Sequence, residues 1–195
     1  MKLSKLYCND KRFKTVYFKE GFNLILGNVD NKNKNDTHNL GKTTLIEIVD
    51  YMLLKSSSHF FNGKSKEEIF KGFEFFLEVK LDKGFVTIKR SVKNPKISLQ
   101  IHNEKNQDFI DFEDWDFKDI KLDIAKNELN KLFNFDLKSD YRKFLKFILR
   151  TQEDYSFDFR KNEVGDIQWK PYIMELFGYG YKTTYEMLKL RKRRD

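Results

Sequence analysis

The sequence predicts an α/β fold in which a mixed β-sheet carries an antiparallel β subdomain and flanking helices. Three observations predict this class. Short apolar strands open the chain, an amphipathic helix follows Gly-Lys-Thr-Thr at residues 41–44, and two strand-like segments flank a turn at residues 82–84. A chain of 195 residues is long enough to bury one core, with at most a small additional domain.

Three short strands are predicted near the N-terminus. Residues 3–7 and 15–18 are apolar segments separated by a polar turn. Residues 22–27, Phe-Asn-Leu-Ile-Leu-Gly, follow the turn signal Glu20-Gly21. Their continuous apolar run is typical of a strand that is buried on both faces. We therefore expect residues 22–27 at the centre of the sheet.

The middle of the chain predicts a helix followed by a hairpin. A helix is expected over residues 42–55, because its apolar residues recur at helical spacing: Leu45, Ile48, Val49, Met52 and Leu53. Residues 73–81 and 85–92 flank Asp82-Lys83-Gly84, which is typical of a β-hairpin, and residues 96–102 alternate as a further strand.

The remainder of the chain predicts mainly helices. One helix is expected over residues 121–133 and another over residues 140–150, with Ser139 as the N-cap of the second. Residues 151–166 are polar and predict a loop. From Pro171 onward the pattern is helical, with an interruption at Gly178 and Gly180.

Composition and charge exclude several classes of protein. The single cysteine, Cys8, excludes an intramolecular disulfide framework and a Cys-rich zinc site. No apolar stretch approaches the roughly 18 residues that span a bilayer, and the N-terminus lacks the apolar core of a signal peptide. We therefore expect a soluble, cytoplasmic protein without a membrane partner. The net charge of +8 permits a nucleic-acid partner, although interleaved charges also describe an ordinary solvated surface.

Gly41-Lys42-Thr43-Thr44 lies between a predicted strand with its polar loop and a predicted helix, which is the setting of a phosphate-binding P-loop. Backbone N–H groups at such a helix start point towards an anion, and the helix dipole adds positive potential. Lys42 is placed to reach the β- and γ-phosphates, and the Thr43 hydroxyl to ligate Mg²⁺. The alternative is an ordinary helix start with a surface lysine.

The segment departs from the standard pattern G-x-x-x-x-G-K-[ST]. Asp36 occupies the slot of the first glycine, while Gly27 lies thirteen intervening residues before Gly41. Either the loop is expanded, or Asp36 replaces that glycine. Asn39 occupies another slot where glycine is frequent, and Asn tolerates positive φ better than other side chains do.

Over residues 1–55 the chain resembles the N-terminal lobe of SMC/RecN-like ATPases, which belong to the ABC ATPase superfamily. The resemblance follows the order LSKLYCND, TVYFKEGFNLILG and GKTTLIEIVDYMLL. The block around DTHNLGKT is similar to a bacterial subgroup, the "domain of unknown function 2326" proteins. The resemblance implies a P-loop NTPase half-head of ABC/SMC type that binds ATP and Mg²⁺.

The resemblance also implies roles for individual residues. Asn39, Leu40, Gly41 and Thr44 would complete the nucleotide-binding loop around Lys42 and Thr43. Gln152 would be a Q-loop glutamine that contacts Mg²⁺ and the attacking water, and Arg12 would approach the phosphates. The implied domains are a nucleotide-binding lobe over residues 1–150, with its P-loop at 27–44 and hairpin region at 73–102, and a Q-loop and helical segment over residues 151–195 that leads towards a coiled coil.

The sequence has no LSGG-like signature after Gln152 and no apolar strand that ends in Asp-Glu as a Walker B motif. The resemblance therefore implies a C-terminal half that completes the ATPase head, an ATP-dependent homodimer and DNA as a partner. Two alternatives stay open. One is a small P-loop kinase that uses acids at residues 153–166 with Arg150 or Arg160. The other is a non-catalytic interaction module.

Overall fold

The computed structural model describes residues 1–26, 42–56, 61, 68–92, 96–106, 111–135, 139–150 and 165–194. The chain divides into two compact units, Met1–Phe133 and Asn134–Asp195. This division reflects compactness alone. The predicted division into a nucleotide-binding lobe over residues 1–150 and a Q-loop segment after it stays a prediction.

The first unit is built on a six-stranded sheet whose neighbouring strands are all antiparallel. In space the strands follow the order β2-β1-β3-β4-β5-β6. They are β1 (Lys2–Cys8), β2 (Val16–Tyr17), β3 (Glu74–Lys80), β4 (Phe85–Ser91), β5 (Ile97–His102) and β6 (Phe117–Ile120).

This sheet shows that the predicted α/β class, with the mixed sheet of a P-loop NTPase half-head of ABC/SMC type, is wrong. A mixed sheet requires parallel neighbours, and parallel neighbours require long crossover connections that usually contain a helix. Strands β3, β4 and β5 instead follow one another through short connections and pair antiparallel. The fold is therefore a β-rich antiparallel sheet with a few helices.

The predicted central strand at residues 22–27 is also wrong where the structure describes it. Residues 22–26 adopt no strand conformation, and the side chains of Phe22, Leu24 and Leu26 are 89%, 68% and 76% exposed. An apolar run indicates that a segment favours burial, but the run does not supply the neighbouring strands and covering helices that bury it.

The predicted hairpin is confirmed by β3 and β4, which pair from Glu74 opposite Ser91 to Lys80 opposite Phe85. Gly84 closes the turn with a φ of +79°, a left-handed conformation that glycine adopts at little cost. A Cβ atom at this position would lie 2.6 Å from the carbonyl oxygen of His102. The turn therefore needs glycine for its backbone angle and for the close approach of β5.

Helix α1 (Lys42–Met52) packs on β3 and β4, as its apolar stripe predicts. Its residues Ile48, Val49 and Met52 are buried. Successive side chains of a strand point to opposite faces, so Phe75 and Leu77 lie on one face of β3 while Phe76 and Glu78 lie on the other. The predicted helix over residues 121–133 is confirmed as α2 (Leu122–Phe133).

The face that carries Glu78 contains a buried polar network. The Ser4 hydroxyl donates to one carboxylate oxygen of Glu78 at 2.6 Å, and the Asn106 backbone N–H donates to the other at 2.9 Å. Lys5 is also buried, and its ammonium donates to the Asn106 carbonyl at 2.9 Å. These bonds satisfy charged groups that would otherwise be costly to bury.

The second unit contains α3 (Tyr141–Ile148), a 3₁₀ turn (Asp166–Gln168), α4 (Lys170–Leu176) and α5 (Tyr181–Arg194). The N-cap of α3 is Asp140 and not the predicted Ser139, because the Asp140 carboxylate accepts the backbone N–H of Arg142 at 2.8 Å. The predicted interruption between the last helices is confirmed, and Gly178 follows α4 with a φ of +81°.

Among the residues that the structure describes, no helix is both long enough and apolar enough to cross a membrane.

Candidate functional site

The candidate site is the N-terminal end of α1, where the sequence predicts phosphate binding. The helix begins at Lys42, directly after Gly41. Its first turn contains no acidic residue, and Thr43 in that turn is exposed. The first N–H groups of a helix have no intrahelical acceptors, and the helix dipole places positive potential beside them. This end of α1 can therefore receive an anion without repulsion from a neighbouring carboxylate in the first turn.

Burial along α1 increases from its first turn to its C-terminal part. The buried stripe begins at Ile48, one turn and a half into the helix, and continues through Val49 and Met52. Thr43 is exposed and Thr44 is half-buried. The C-terminal part of α1 is therefore held in the core, while Thr43 in its first turn is exposed.

Arg90 of β4 links the C-terminal end of α1 to the sheet through hydrogen bonds. Its guanidinium Nη1 donates to the carbonyl oxygens of Tyr51 at 2.6 Å and Lys55 at 2.8 Å. The guanidinium carbon also lies 3.7 Å from the centroid of the Tyr51 ring. The Tyr51 carbonyl also accepts the Leu54 backbone N–H at 3.0 Å, so Arg90 adds a second donor to it. A buried cation near the C-terminal end of a helix is also favoured by the helix dipole.

Sequence reasoning missed Arg90, although a signal was present. Val86, Ile88 and Arg90 alternate along β4 and so lie on the same face of the strand, and all three are buried. An arginine in register with two buried aliphatic residues indicates a buried cation that needs partners. The strand pattern alone does not identify those partners, because they lie 39 and 35 residues away in the sequence.

Arg12, predicted to approach the phosphates, has a carboxylate partner of its own. Its Nη2 lies 2.7 Å from Asp10 Oδ2, and its Nε donates to Asp10 Oδ1 at 3.0 Å. The hydrogen bond from Arg12 lowers the pKa of Asp10, and the same bond raises the pKa of Arg12. Arg12 also lies over the Phe73 ring at 4.8 Å. A nucleotide phosphate would have to compete with Asp10 for this side chain.

Several predicted site residues lie outside the residues that the structure describes. These are Asn39, Leu40 and Gly41 in the loop, and Gln152 after α3. Asp36 and most of the predicted P-loop at residues 27–44 lie outside them as well. The roles predicted for these residues stay predictions.

Thr43 is the described residue best suited to hold Mg²⁺ at this site, since it is exposed in the first turn of α1 and carries a hydroxyl. A hydroxyl oxygen beside a bound triphosphate fits the oxygen ligands that Mg²⁺ prefers. Within the described ranges, no group of three or more His, Cys, Asp or Glu side chains is close enough together to form an all-protein metal site.

Comparison with known protein families finds no family model that matches the chain. Among curated protein sequences, the uncharacterized protein YydD of Bacillus subtilis (strain 168) is 28% identical to this chain over 113 residues. The aligned part covers 57% of this chain and 18% of that protein, so the chain spans less than a fifth of the relative that it matches. Since the relative is itself uncharacterized, the similarity assigns no activity.

Proposed function

We propose that the chain binds the triphosphate of ATP, together with Mg²⁺, at the N-terminal end of α1. One observation carries the proposal. The helix begins at Lys42, directly after Gly41, and its first turn is free of acidic residues and includes an exposed Thr43. This is the local arrangement that a phosphate-binding Gly-Lys-Thr segment requires. The proposed site does not depend on the mixed sheet, which the antiparallel sheet of the structure replaces.

Each residue has a distinct role in the proposed site. Lys42 supplies a point charge for the β- and γ-phosphates, and Thr43 supplies a hydroxyl for Mg²⁺. The resemblance to SMC/RecN-like ATPases adds Asn39, Leu40, Gly41 and Thr44 around the phosphates. It also adds Gln152 near Mg²⁺ and the attacking water, and Arg12 after its release from Asp10. Mg²⁺, when bound, neutralises phosphate charge.

The proposed role of the whole protein is an ATP-binding part of an SMC-like ATPase head in the cytoplasm. A C-terminal half with Walker B and signature motifs would complete the head, and ATP would drive homodimerisation. Without the Walker B glutamate, this chain alone would hydrolyse ATP very slowly. The resemblance implies a DNA-related role in defence or repair, and the net charge of +8 supports the contact with DNA.

An ATP titration tests the site. We expect Lys42→Ala to weaken Mg²⁺–ATP binding by about 10- to 150-fold, because one charge-assisted contact is worth about 1.5–3 kcal/mol. Lys71→Ala is the matched control, since Lys71 is an exposed lysine that precedes β3 and its loss removes the same charge. Its dissociation constant should stay within about twofold of the wild type. Equal affinities for Lys42→Ala and the wild type would contradict the proposal.

A non-catalytic interaction module is the second candidate, and the exposed apolar segment at residues 22–26 favours it. Phe22, Leu24 and Leu26 present large apolar side chains to solvent. Contiguous exposed apolar groups are typical of interaction surfaces. If the wild type fails to bind ATP while Leu24→Asp abolishes self-association, the interaction module replaces the nucleotide site as the preferred function.

A further inference from the structure

A pocket of about 360 Å³ opens at the β2 edge of the sheet in the first unit. It forms where β2 and the following turn meet the beginning of β1, the end of β3 and the beginning of β4. Four lysines line it, and all are exposed: Lys2, Lys19, Lys80 and Lys105. Glu20 is the acidic residue among those that line the pocket.

The charges of this basic pocket are partly compensated. Lys2 and Lys80 are direct partners across the β1–β3 pair, and like charges placed opposite each other destabilise a sheet. Glu20 relieves part of the repulsion, because its Oε1 lies 2.6 Å from the Lys80 ammonium. The hydrogen bond from Lys80 lowers the pKa of Glu20 below its ordinary value. Among the described residues that line the pocket, four lysines face one carboxylate, and this excess of positive charge favours a ligand with several negative charges.

Aromatic side chains form part of the same wall. Tyr17 of β2 is 57% exposed, while Phe18 and Phe85 are half-buried. An exposed tyrosine offers the face of its ring for stacking, because the core does not cover it. The pocket therefore combines cations with an aromatic platform.

The turn that carries Lys19 and Glu20 is already ordered. The side-chain oxygen of Asn23 accepts the Lys19 backbone N–H at 2.7 Å, and its amide donates to the Lys19 carbonyl at 2.9 Å. The same amide donates to the Gly21 carbonyl at 3.1 Å. Because these bonds hold the backbone in place, a ligand would not have to order this turn on binding.

We propose that the basic pocket binds single-stranded nucleic acid, with the lysines on phosphodiester groups and a base stacked on Tyr17. The proposal rests on the DNA-related part of the proposed function, and it deepens that part by naming a site and a strand state. Lysines beside an aromatic platform are the usual combination for single strands, since every base has a face that can stack. Recognition of phosphorylated peptides usually relies on arginine forks, and arginine is absent from the pocket lining within the described part of the chain.

Fluorescence anisotropy of the full chain with a labelled 15-nucleotide oligothymidylate tests the proposal over a series of KCl concentrations. For single strands, the slope of log K against log salt is about −0.7 per neutralised phosphate. We expect Lys19→Glu/Lys105→Glu to weaken binding at least tenfold at low salt and to make the slope shallower by about 1.4.

The control is Lys71→Glu/Lys118→Glu, two exposed lysines that do not line the pocket. Each double variant lowers the net charge by the same amount, from +8 to +4 (8 − 4). The control should bind within about threefold of the wild type with an unchanged slope. Tyr17→Ala should weaken binding about 5- to 150-fold, the worth of one stacked base, again with an unchanged slope.

Three results would overturn the proposal. The first is equal weakening by the pocket and control pairs, which would show a long-range charge effect. The second is a Tyr17→Ala protein that binds as well as the wild type. The third is displacement of the oligonucleotide by phosphoserine peptide or polyglutamate at equal charge, which would assign the pocket to an acidic protein.

Mg²⁺–ATP titration of the same proteins separates this proposal from the nucleotide site. The Lys19→Glu/Lys105→Glu protein should keep wild-type ATP affinity, and Lys42→Ala should keep wild-type affinity for the oligonucleotide. A wild type that does not bind ATP would leave the test of oligonucleotide binding at the pocket unaffected. A wild type that does not bind the oligonucleotide would likewise leave the test of the ATP site unaffected.

Discussion

Replacement of Arg90 by methionine tests how α1 is held on the sheet. Arg90 is 2% exposed and donates to the carbonyl oxygen of Tyr51 in the last turn of α1 and to that of Lys55, which lies three residues after the helix. Methionine has similar length and fills a similar volume, but it donates no hydrogen bond. Arg90→Met therefore removes the charge and both bonds while it leaves most of the packing in place.

The cost follows from the two hydrogen bonds at 2.6 and 2.8 Å. A bond from a charged donor contributes about 1.5–3 kcal/mol, so two contribute about 3–6 kcal/mol. Burial of methionine instead of a guanidinium recovers part of this, because the desolvation of the charge is avoided. We expect a net loss of about 2–4 kcal/mol in the free energy of unfolding and a fall of roughly 10 °C in the melting temperature.

Urea denaturation of the full chain measures this change, with Lys89→Met as the control. Lys89 is the adjacent residue on the opposite face of β4, and its ammonium pairs with Asp111 at 2.9 Å and Glu74 at 3.2 Å. Those partly exposed pairs are worth at most about 1 kcal/mol. Hydrogen exchange should also show faster exchange in α1 of the Arg90→Met protein. A loss no larger than that of Lys89→Met would refute the anchoring role of Arg90.

Three further substitutions or treatments test individual features. Gly84→Ala should lower the free energy of unfolding by about 1–3 kcal/mol in urea, because the added Cβ meets a positive φ and lies 2.6 Å from the His102 oxygen. Asp140→Ala should cost about 1 kcal/mol by the same measurement, since it removes the N-cap bond to the Arg142 N–H. Burial raises the pKa of the Cys8 thiol, so native protein should react slowly with a thiol reagent at pH 8 and unfolded protein should react fast. An unchanged free energy of unfolding for either variant would contradict the role assigned to that residue. Equal reaction rates for native and unfolded protein would contradict the burial of Cys8.

The parts of the fold that follow from local periodicity were predictable. The β3–β4 hairpin depends on two alternating segments and Gly84, and α1 depends on an apolar stripe at helical spacing. These signals lie within about twenty residues of sequence, so they do not depend on distant partners. The same holds for α2, which the structure places at Leu122–Phe133.

The arrangement of the sheet was not predictable in the same way. The apolar run at residues 22–26 indicated burial, and the structure leaves it exposed and outside the sheet. Periodicity identifies segments, whereas pairing depends on which segments meet and in which direction. β1, for example, pairs with β3 across more than seventy residues of sequence, from Leu6 to Leu77.

The candidate sites differ in the same way in how far the sequence predicts them. Lys42 and Thr43 belong to one continuous motif, which is why the sequence could place them at a helix start. Arg90 and the lysines of the basic pocket are contributed by separate elements, and only folding brings them to their partners. No spacing in the sequence links Lys2 to Lys80.

Backbone amide shifts test the central claim most directly, since the proposed site binds phosphate through N–H groups. In a ¹⁵N-labelled protein, Mg²⁺–ATP should produce its largest amide shifts at residues 41–45, and Lys42→Ala should reduce them at the same ligand concentration. The largest shifts elsewhere, with residues 41–45 unchanged at saturating ligand, would contradict the claim that the start of α1 is a nucleotide site.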